Sequence, residues 1–138
     1  MNDAEMLATC LAKCYSLETL AITRSRLEDD QARVMIKRLL SHPRLRSINL
    51  SHNRLVPQPQ PGPNHFFRLR CKTGRALGKM IKTVSTLEEL NLEDNEIGEE
   101  GATAIALGIQ CETAKLKSLN ISQNIIGDNG GIGNHLKF

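Results

Sequence analysis

One hundred and thirty-eight residues is the size of one domain, and 40% apolar with 24% charged residues is ordinary globular composition. The net charge of +3 is too small to imply a polyanionic partner by itself, and three Phe, one Tyr and no Trp leave few stacking platforms for single-stranded nucleic acid. No apolar run approaches the length of a membrane span, and an N-terminus mixing polar and apolar residues around Asp3 and Glu5 is neither a signal peptide nor a transit peptide, so the expected compartment is the cytoplasm.

In chain order, Met6, Leu7, Cys10 and Leu11 lie at helical spacing. Residues 1–16 are therefore expected to form the helix of a preceding, incomplete unit. A repeat begins at Leu17 and dominates everything after it. Leu17-x-x-Leu20-x-Ile22-x-x-Ser25-x-Leu27 recurs as Leu45-x-x-Ile48-x-Leu50-x-x-Asn53-x-Leu55. It returns as Leu87-x-x-Leu90-x-Leu92-x-x-Asn95-x-Ile97 and as Leu116-x-x-Leu119-x-Ile121-x-x-Asn124-x-Ile126. The pattern is that of a leucine-rich repeat. The units start at 17, 45, 87 and 116, so two spacings have the length of the ribonuclease-inhibitor-like class and the middle one is 14 residues longer than the first.

Each unit has a physical reading. Apolar residues alternate with Thr19, Ala21 and Thr23, and with their equivalents, which predicts short strands near 19–23, 47–51, 89–93 and 118–122. Asn53, Asn95 and Asn124 follow the strands, where the chain turns. Their amides are expected to bond turn groups of the neighbouring repeat as a structural ladder, weaker at Ser25. Helices near 30–41, 74–84 and 100–110 return the chain. Their stripes are Met35, Ile36, Leu39 and Leu40 in one, and Leu77, Ile81 and Val84 in the next. In the third, Ala102, Ala104 and Ala106 are expected to let helix and sheet approach closely. Because each helix carries the chain back to the same end, the strands must be parallel. The fold class is α/β, a leucine-rich-repeat solenoid forming a partial horseshoe. It has parallel strands on the concave side, helices on the convex side and about three and a half repeats over 17–138. The segment from Gly127 is expected to start a further helix stopping at Phe138, and both ends have the look of a repeat array cut short.

Residues 56–73 interrupt the pattern. Four prolines between Pro57 and Pro63 exclude helix and central strand, so a Pro-rich, basic loop is expected on the edge of the solenoid. Phe66, Phe67, Arg68, Arg70 and Lys72 could make an aromatic and basic finger, but an insertion without a site explains them more simply. No P-x-x-P motif with a flanking base stands out.

Nothing in the chain composes a catalytic site. Asp29/Asp30, Glu88/Glu89, Glu93/Asp94 and Glu99/Glu100 are sequence neighbours at helix starts and strand surfaces, not carboxylates facing across a cleft. His42, His52, His65 and His135 are scattered. Cys10, Cys14, Cys71 and Cys111 form no C-x-x-C pair and have no zinc spacing to His. No phosphate loop or dinucleotide fingerprint occurs. No catalytic residue, cofactor or metal is expected, and no small-molecule substrate, nucleic acid or membrane partner.

What remains is surface. The concave rows are expected to present Thr19, Ala21 and Thr23; Ser47, Asn49 and Ser51; Glu89, Asn91 and Glu93; and Ser118, Asn120 and Ser122. From Ser47 onwards these are the candidate protein-binding residues. The outer helix faces are basic, with Arg33, Lys37 and Arg38 followed by Arg75, Lys79 and Lys82. On sequence alone a solvated surface accounts for them better than an anionic partner.

The run Leu17 to Asp30, with its Ile22-Thr23-Arg24-Ser25 core and the Asp29/Asp30 doublet, leads through Leu39-Leu40-Ser41-His42-Pro43 to Ile48-Asn49-Leu50-Ser51-His52-Asn53. It resembles the leucine-rich-repeat subunits of the nexin–dynein regulatory complex, the t-complex-associated testis-expressed family. The resemblance covers 17–55 well and 74–131 in repeat pattern, and the 56–73 insert departs from it. It implies a non-enzymatic scaffold of the cilium or flagellum axoneme, part of the cytoskeleton, whose partners are other protein subunits and which helps regulate motility. The alternative is a ligand-binding repeat domain of the ribonuclease-inhibitor or innate-immune-receptor type. A nucleotide-binding domain upstream in a longer chain would favour that alternative.

Overall fold

The computed structural model describes residues 3–55 and 72–126, together with the backbone of 135–137. The first four strands are β1 (Thr19–Ala21), β2 (Ser47–Asn49), β3 (Glu89–Asn91) and β4 (Ser118–Asn120). They pair in sequence order and all in parallel, with Leu20, Ile48, Leu90 and Leu119 in one register row. The helices α1 (Asp3–Lys13), α2 (Asp29–Leu39), α3 (Lys72–Thr83) and α4 (Glu99–Ile109) alternate with them and pack side by side. Helices sit about 8–10 Å apart and strands about 4.8 Å, so a stack of such units must curve with the strands inside. The arrangement is the expected α/β solenoid.

The core lies between the two layers. The middle residue of each of the four strands is buried, while its neighbours face away from the helices. Leu45, Leu50, Leu55, Leu77, Met80 and Leu92 are completely buried, as the repeat pattern demands. Truncating such a Leu to Ala costs about 2–5 kcal/mol.

Local sequence sets the helix starts. In α2 the Gln31 Oε1 accepts the Glu28 backbone N–H at 3.1 Å, which fixes the first turn. Acidic residues open the helix and Lys37 and Arg38 close it, matching its dipole. Buried Met35, Ile36 and Leu39 form its inner stripe, with Leu40 partly buried. In α4 the alanines do not face the sheet as expected. Gly101, Ile105 and Gly108 are the buried positions, Ala106 is exposed, and Ala104 lies against α3. The reason is close helix approach: a Cβ added to Gly78 would strike the Ala104 carbonyl oxygen, and one added to Gly108 would lie 2.9 Å from the Gly78 Cα.

Four points correct or extend the expectations. First, α3 starts at Lys72, so Lys72 and Thr73 belong to a helix and not to the loop assigned to 56–73. Asp29 holds that start, as shown below. The rest of the insert, 56–71, lies outside the described residues. Second, α1 buries only one flank. Ala8 is buried and Leu11 partly so, but Met6 and Leu7 are 54% and 47% exposed: among the described residues, α2 is the one helix packed against α1. Third, the chain does not end in a helix throughout. Residues 135–137 form β5 (His135–Lys137), antiparallel to β4 with Leu119 opposite Leu136. Gly127, Gly130, Gly131 and Gly133 weaken helix formation, and the edge of β4 offers unpaired backbone groups. Fourth, His42 joins two units. It is buried, its Nε2 lies 2.9 Å from the Cys14 carbonyl, and its Nδ1 accepts the Arg44 N–H at 3.2 Å. Nε2 must therefore carry the proton and donate, linking two successive units.

Candidate protein-binding face

The turn after each strand is built by one asparagine. Asn53 Oδ1 accepts the backbone N–H groups of Ser25 and Leu27, both at 3.0 Å, and its Nδ2 donates to the Ile22 and Leu50 carbonyls at 2.7 and 2.9 Å. Asn95 Oδ1 accepts the Asn53 N–H at 3.2 Å, while its Nδ2 donates to Leu50 and Leu92. Asn124 Oδ1 accepts from Asn95 and Ile97, and its Nδ2 donates to Leu92 and Ile121. All three are buried, at 7%, 0% and 2% exposure. Each amide thus serves its own turn and the turn before it. At Ser25 the hydroxyl bonds only the Thr23 carbonyl and is exposed.

The turns are tight. Arg24, His52, Asp94 and Gln123, each just before the ladder position, hold φ of 52°, 57°, 53° and 57°. These are left-handed values that disfavour side chains.

The concave face lies on top of this frame. Ser47, Asn49, Glu89, Asn91, Ser118 and Asn120 line one shallow hollow. Glu89 is exposed, and Ser122 lies at the far end of the β4 row, partly exposed. Ser51 does not belong to the face: it is 4% exposed, whereas its repeat equivalents Glu93 and Ser122 are partly exposed. The concave asparagines also have partners. Oδ1 of Asn49, Asn91 and Asn120 accepts the backbone N–H two residues on, at Ser51, Glu93 and Ser122, each at 3.0 Å. Their carbonyl ends hold the strand exits. Sequence reasoning placed these asparagines on the concave face but missed their bonds to the strand exits. The signal was present in the spacing: Asn directly follows the central apolar residue in three of the four strands.

A further row was missed at the near rim. The residues just before the strands are Glu18, Arg46, Glu88 and Lys117, alternating in sign. Glu88 accepts from Arg46 at 3.1 Å and from Lys117 at 3.1 Å. The Lys117 hydrogen bond, then that of Arg46, holds the Glu88 carboxyl below its ordinary range. Glu88 in turn raises Arg46. At the other rim His52 Nδ1 meets Asp94 Oδ2 at 2.9 Å. Glu93 is bound only by amides, Gln123 Nε2 at 2.9 Å and Asn120 Nδ2 at 3.4 Å. The rim charges are matched, and Glu89 and Glu93 leave the hollow between them acidic.

The other chemistry is dispersed. Among the described residues no three His, Cys, Asp or Glu side chains gather as a metal set. Cys10, Cys14 and Cys111 are free thiols, and Cys71 lies outside the described residues. The Thr113 hydroxyl, 3.1 Å from Sγ, holds the Cys111 thiol below its ordinary value. No described helix is long and apolar enough to cross a membrane.

A leucine-rich-repeat family model matches residues 85–106 and 114–133, and a second matches 44–69, over the same frames that form the strands and ladder. The chain is a leucine-rich-repeat protein. Among curated proteins it is similar to Dynein regulatory complex subunit 5 of Mus musculus and of Macaca fascicularis, each 42% identical over 52 residues, and to the Homo sapiens protein of that name at 40%. The matched stretch is 38% of this leucine-rich-repeat chain and 10% of each relative.

Proposed function

We propose that this leucine-rich-repeat protein is a non-enzymatic scaffold of the dynein regulatory complex, located in the axoneme of cilia or flagella and contributing to control of motility. The observation that carries the reading is the 52-residue likeness to Dynein regulatory complex subunit 5. In this reading residues 17–138 act as one repeat domain, residues 1–16 supply the helix of an earlier unit, and another protein subunit docks on the concave face. Ser47, Asn49, Glu89, Asn91, Glu93, Ser118, Asn120 and Ser122 are the contact set. The acidic hollow favours a partner that presents Lys or Arg. Backbone-held asparagines give such a partner a rigid surface, which lowers the ordering cost of binding.

The test is recovery of the tagged chain with axonemes from ciliated cells, followed by carboxylate-directed cross-linking and mass spectrometry. Cross-links from Glu89 or Glu93 to other subunits of the complex are expected, and Glu89→Lys/Glu93→Lys should release the chain from those subunits and lower its recovery with axonemes. A chain that stays out of the axonemal fraction would overturn the assignment. Retention of the double variant with unchanged cross-linking partners would overturn the choice of face.

A further inference from the structure

The convex side carries the opposite charge. A groove between α2 and α3 is lined by Arg33, Lys37, Lys72, Arg75, Ala76 and Lys79. The next groove, between α3 and α4, continues the basic strip with Lys82 and adds Leu107, which is 63% exposed. Carboxylates reach this strip only at its edges. Asp30 takes Lys72 at 2.9 Å and approaches Arg33 Nε at 3.9 Å, and Glu100 takes Arg75 at 2.7 Å. Among the described residues no carboxylate lies within ion-pair distance of Lys37, Arg38, Lys79 or Lys82.

Two features set the groove apart from an ordinary solvated helix face. Arg33 Nε is buried and has no hydrogen-bond partner, a donor that a native surface normally satisfies. The cations also sit one turn apart, Arg33 to Lys37 on one wall and Arg75 to Lys79 on the other, so like charges repel along both helices. The insert cannot neutralise them: residues 56–71 contain two Arg and no Asp or Glu.

We propose that the groove between α2 and α3 receives a carboxylate-rich segment of a partner protein, with Arg33, Lys37 and Lys79 as its contacts. A carboxylate over Arg33 pairs with the exposed part of its guanidinium, and one between Lys37 and Lys79 relieves repulsion across the groove. A short protein segment fits better than a nucleic-acid backbone, because a net charge of only +3 is too small to hold a long polyanion. The site is on the face opposite the concave hollow. A scaffold with an acidic inner face and a basic outer one holds two different partners at once.

The test uses the whole chain and a fluorescein-labelled oligoglutamate peptide, read by anisotropy. Binding should weaken about tenfold or more when ionic strength rises from about 0.05 to about 0.3 M, as unburied charge contacts do. Lys37→Gln/Lys79→Gln should weaken it about tenfold, and Lys37→Glu/Lys79→Glu should abolish it. Lys13→Glu/Lys115→Glu changes the net charge equally, lies off the groove and should leave binding within about twofold of the parent. Circular dichroism melts check that each variant folds. Equal losses in the groove and control variants would reduce the effect to net charge and overturn the proposal. Tighter binding of a DNA duplex or of anionic vesicles than of oligoglutamate would overturn it too, as would no binding of the peptide at low salt.

Discussion

Asp29 of α2 caps the N-terminus of α3. Its carboxylate accepts the Thr73 N–H at 2.9 Å and the Lys72 N–H at 3.3 Å, and its backbone carbonyl accepts the Thr73 hydroxyl at 2.9 Å. Both residues are buried, at 4% and 0% exposure. The first turn of α3 has no acidic residue of its own. The neighbouring repeat therefore supplies the negative charge that the helix dipole and its orphan N–H groups require.

Asp29→Ala should destabilise the protein by about 1–3 kcal/mol, because one buried and one part-buried N–H group lose a charged acceptor. Thr73→Val should cost about 1 kcal/mol. The double variant should cost less than the sum of the two, since they share one network. Urea unfolding measures all three. Strict additivity would mean that the two residues act independently and that α3 is held some other way.

The ladder and the concave row distinguish two kinds of asparagine. Asn95 is fully buried and serves turns in two repeats, so Asn95→Ala should cost about 1–3 kcal/mol. Asn91 holds one N–H, that of Glu93, from a partly exposed position, so Asn91→Ala should cost about 0.5–1 kcal/mol. Equal midpoints in denaturant melts would show that the buried bonds carry no special weight.

The repeat frame was legible because its signal is periodic: Leu20, Ile48, Leu90 and Leu119 declare a buried strand centre from spacing alone. The pairing of Asp29 with Thr73 was not, because it joins residues 44 apart across an insert that hides the repeat register. Sequence reading took Asp29 only as an opener of its own helix. The contact of Gly78 with Gly108 was equally hidden: a glycine in a helix shows no periodicity to read, and its cause is the neighbouring backbone. The concave face was located by strand alternation, yet Ser51 was misplaced. Alternation does not distinguish Ser51 from its repeat equivalents Glu93 and Ser122, which stay partly exposed.

Gly108→Ala tests the helix contact. By propensity alone, Ala in a helix interior stabilises by about 1 kcal/mol over Gly. Here the new methyl would meet the Gly78 backbone, with no flexible side chain to move aside. Helices α3 and α4 must separate, at a cost of about 1–3 kcal/mol, so the net effect should be destabilising. A more stable Gly108→Ala protein in thermal melts would mean that the two helices do not touch in solution.

Arg24 is the place to test the left-handed turns. Its φ is 52°, its side chain is exposed, and its backbone N–H donates to the Ser51 carbonyl at 3.3 Å, a bond that glycine keeps. The left-handed region costs an L-residue roughly 1–2 kcal/mol, and glycine occupies it freely. Against that gain stands the larger backbone entropy glycine loses on folding, roughly 0.5–1 kcal/mol. The balance predicts that Arg24→Gly stabilises by about 0.5–1 kcal/mol, or about 2–4 °C in Tm for a chain of this size. The same chemical change at Arg38, exposed in the last turn of α2, should destabilise by up to about 1 kcal/mol, because a helical residue has no strain to release. Opposite signs in paired thermal melts support the assignment. Equal losses at both positions would mean that residue 24 relaxes out of the left-handed region in solution, and that the Asn53 amide does not impose the turn.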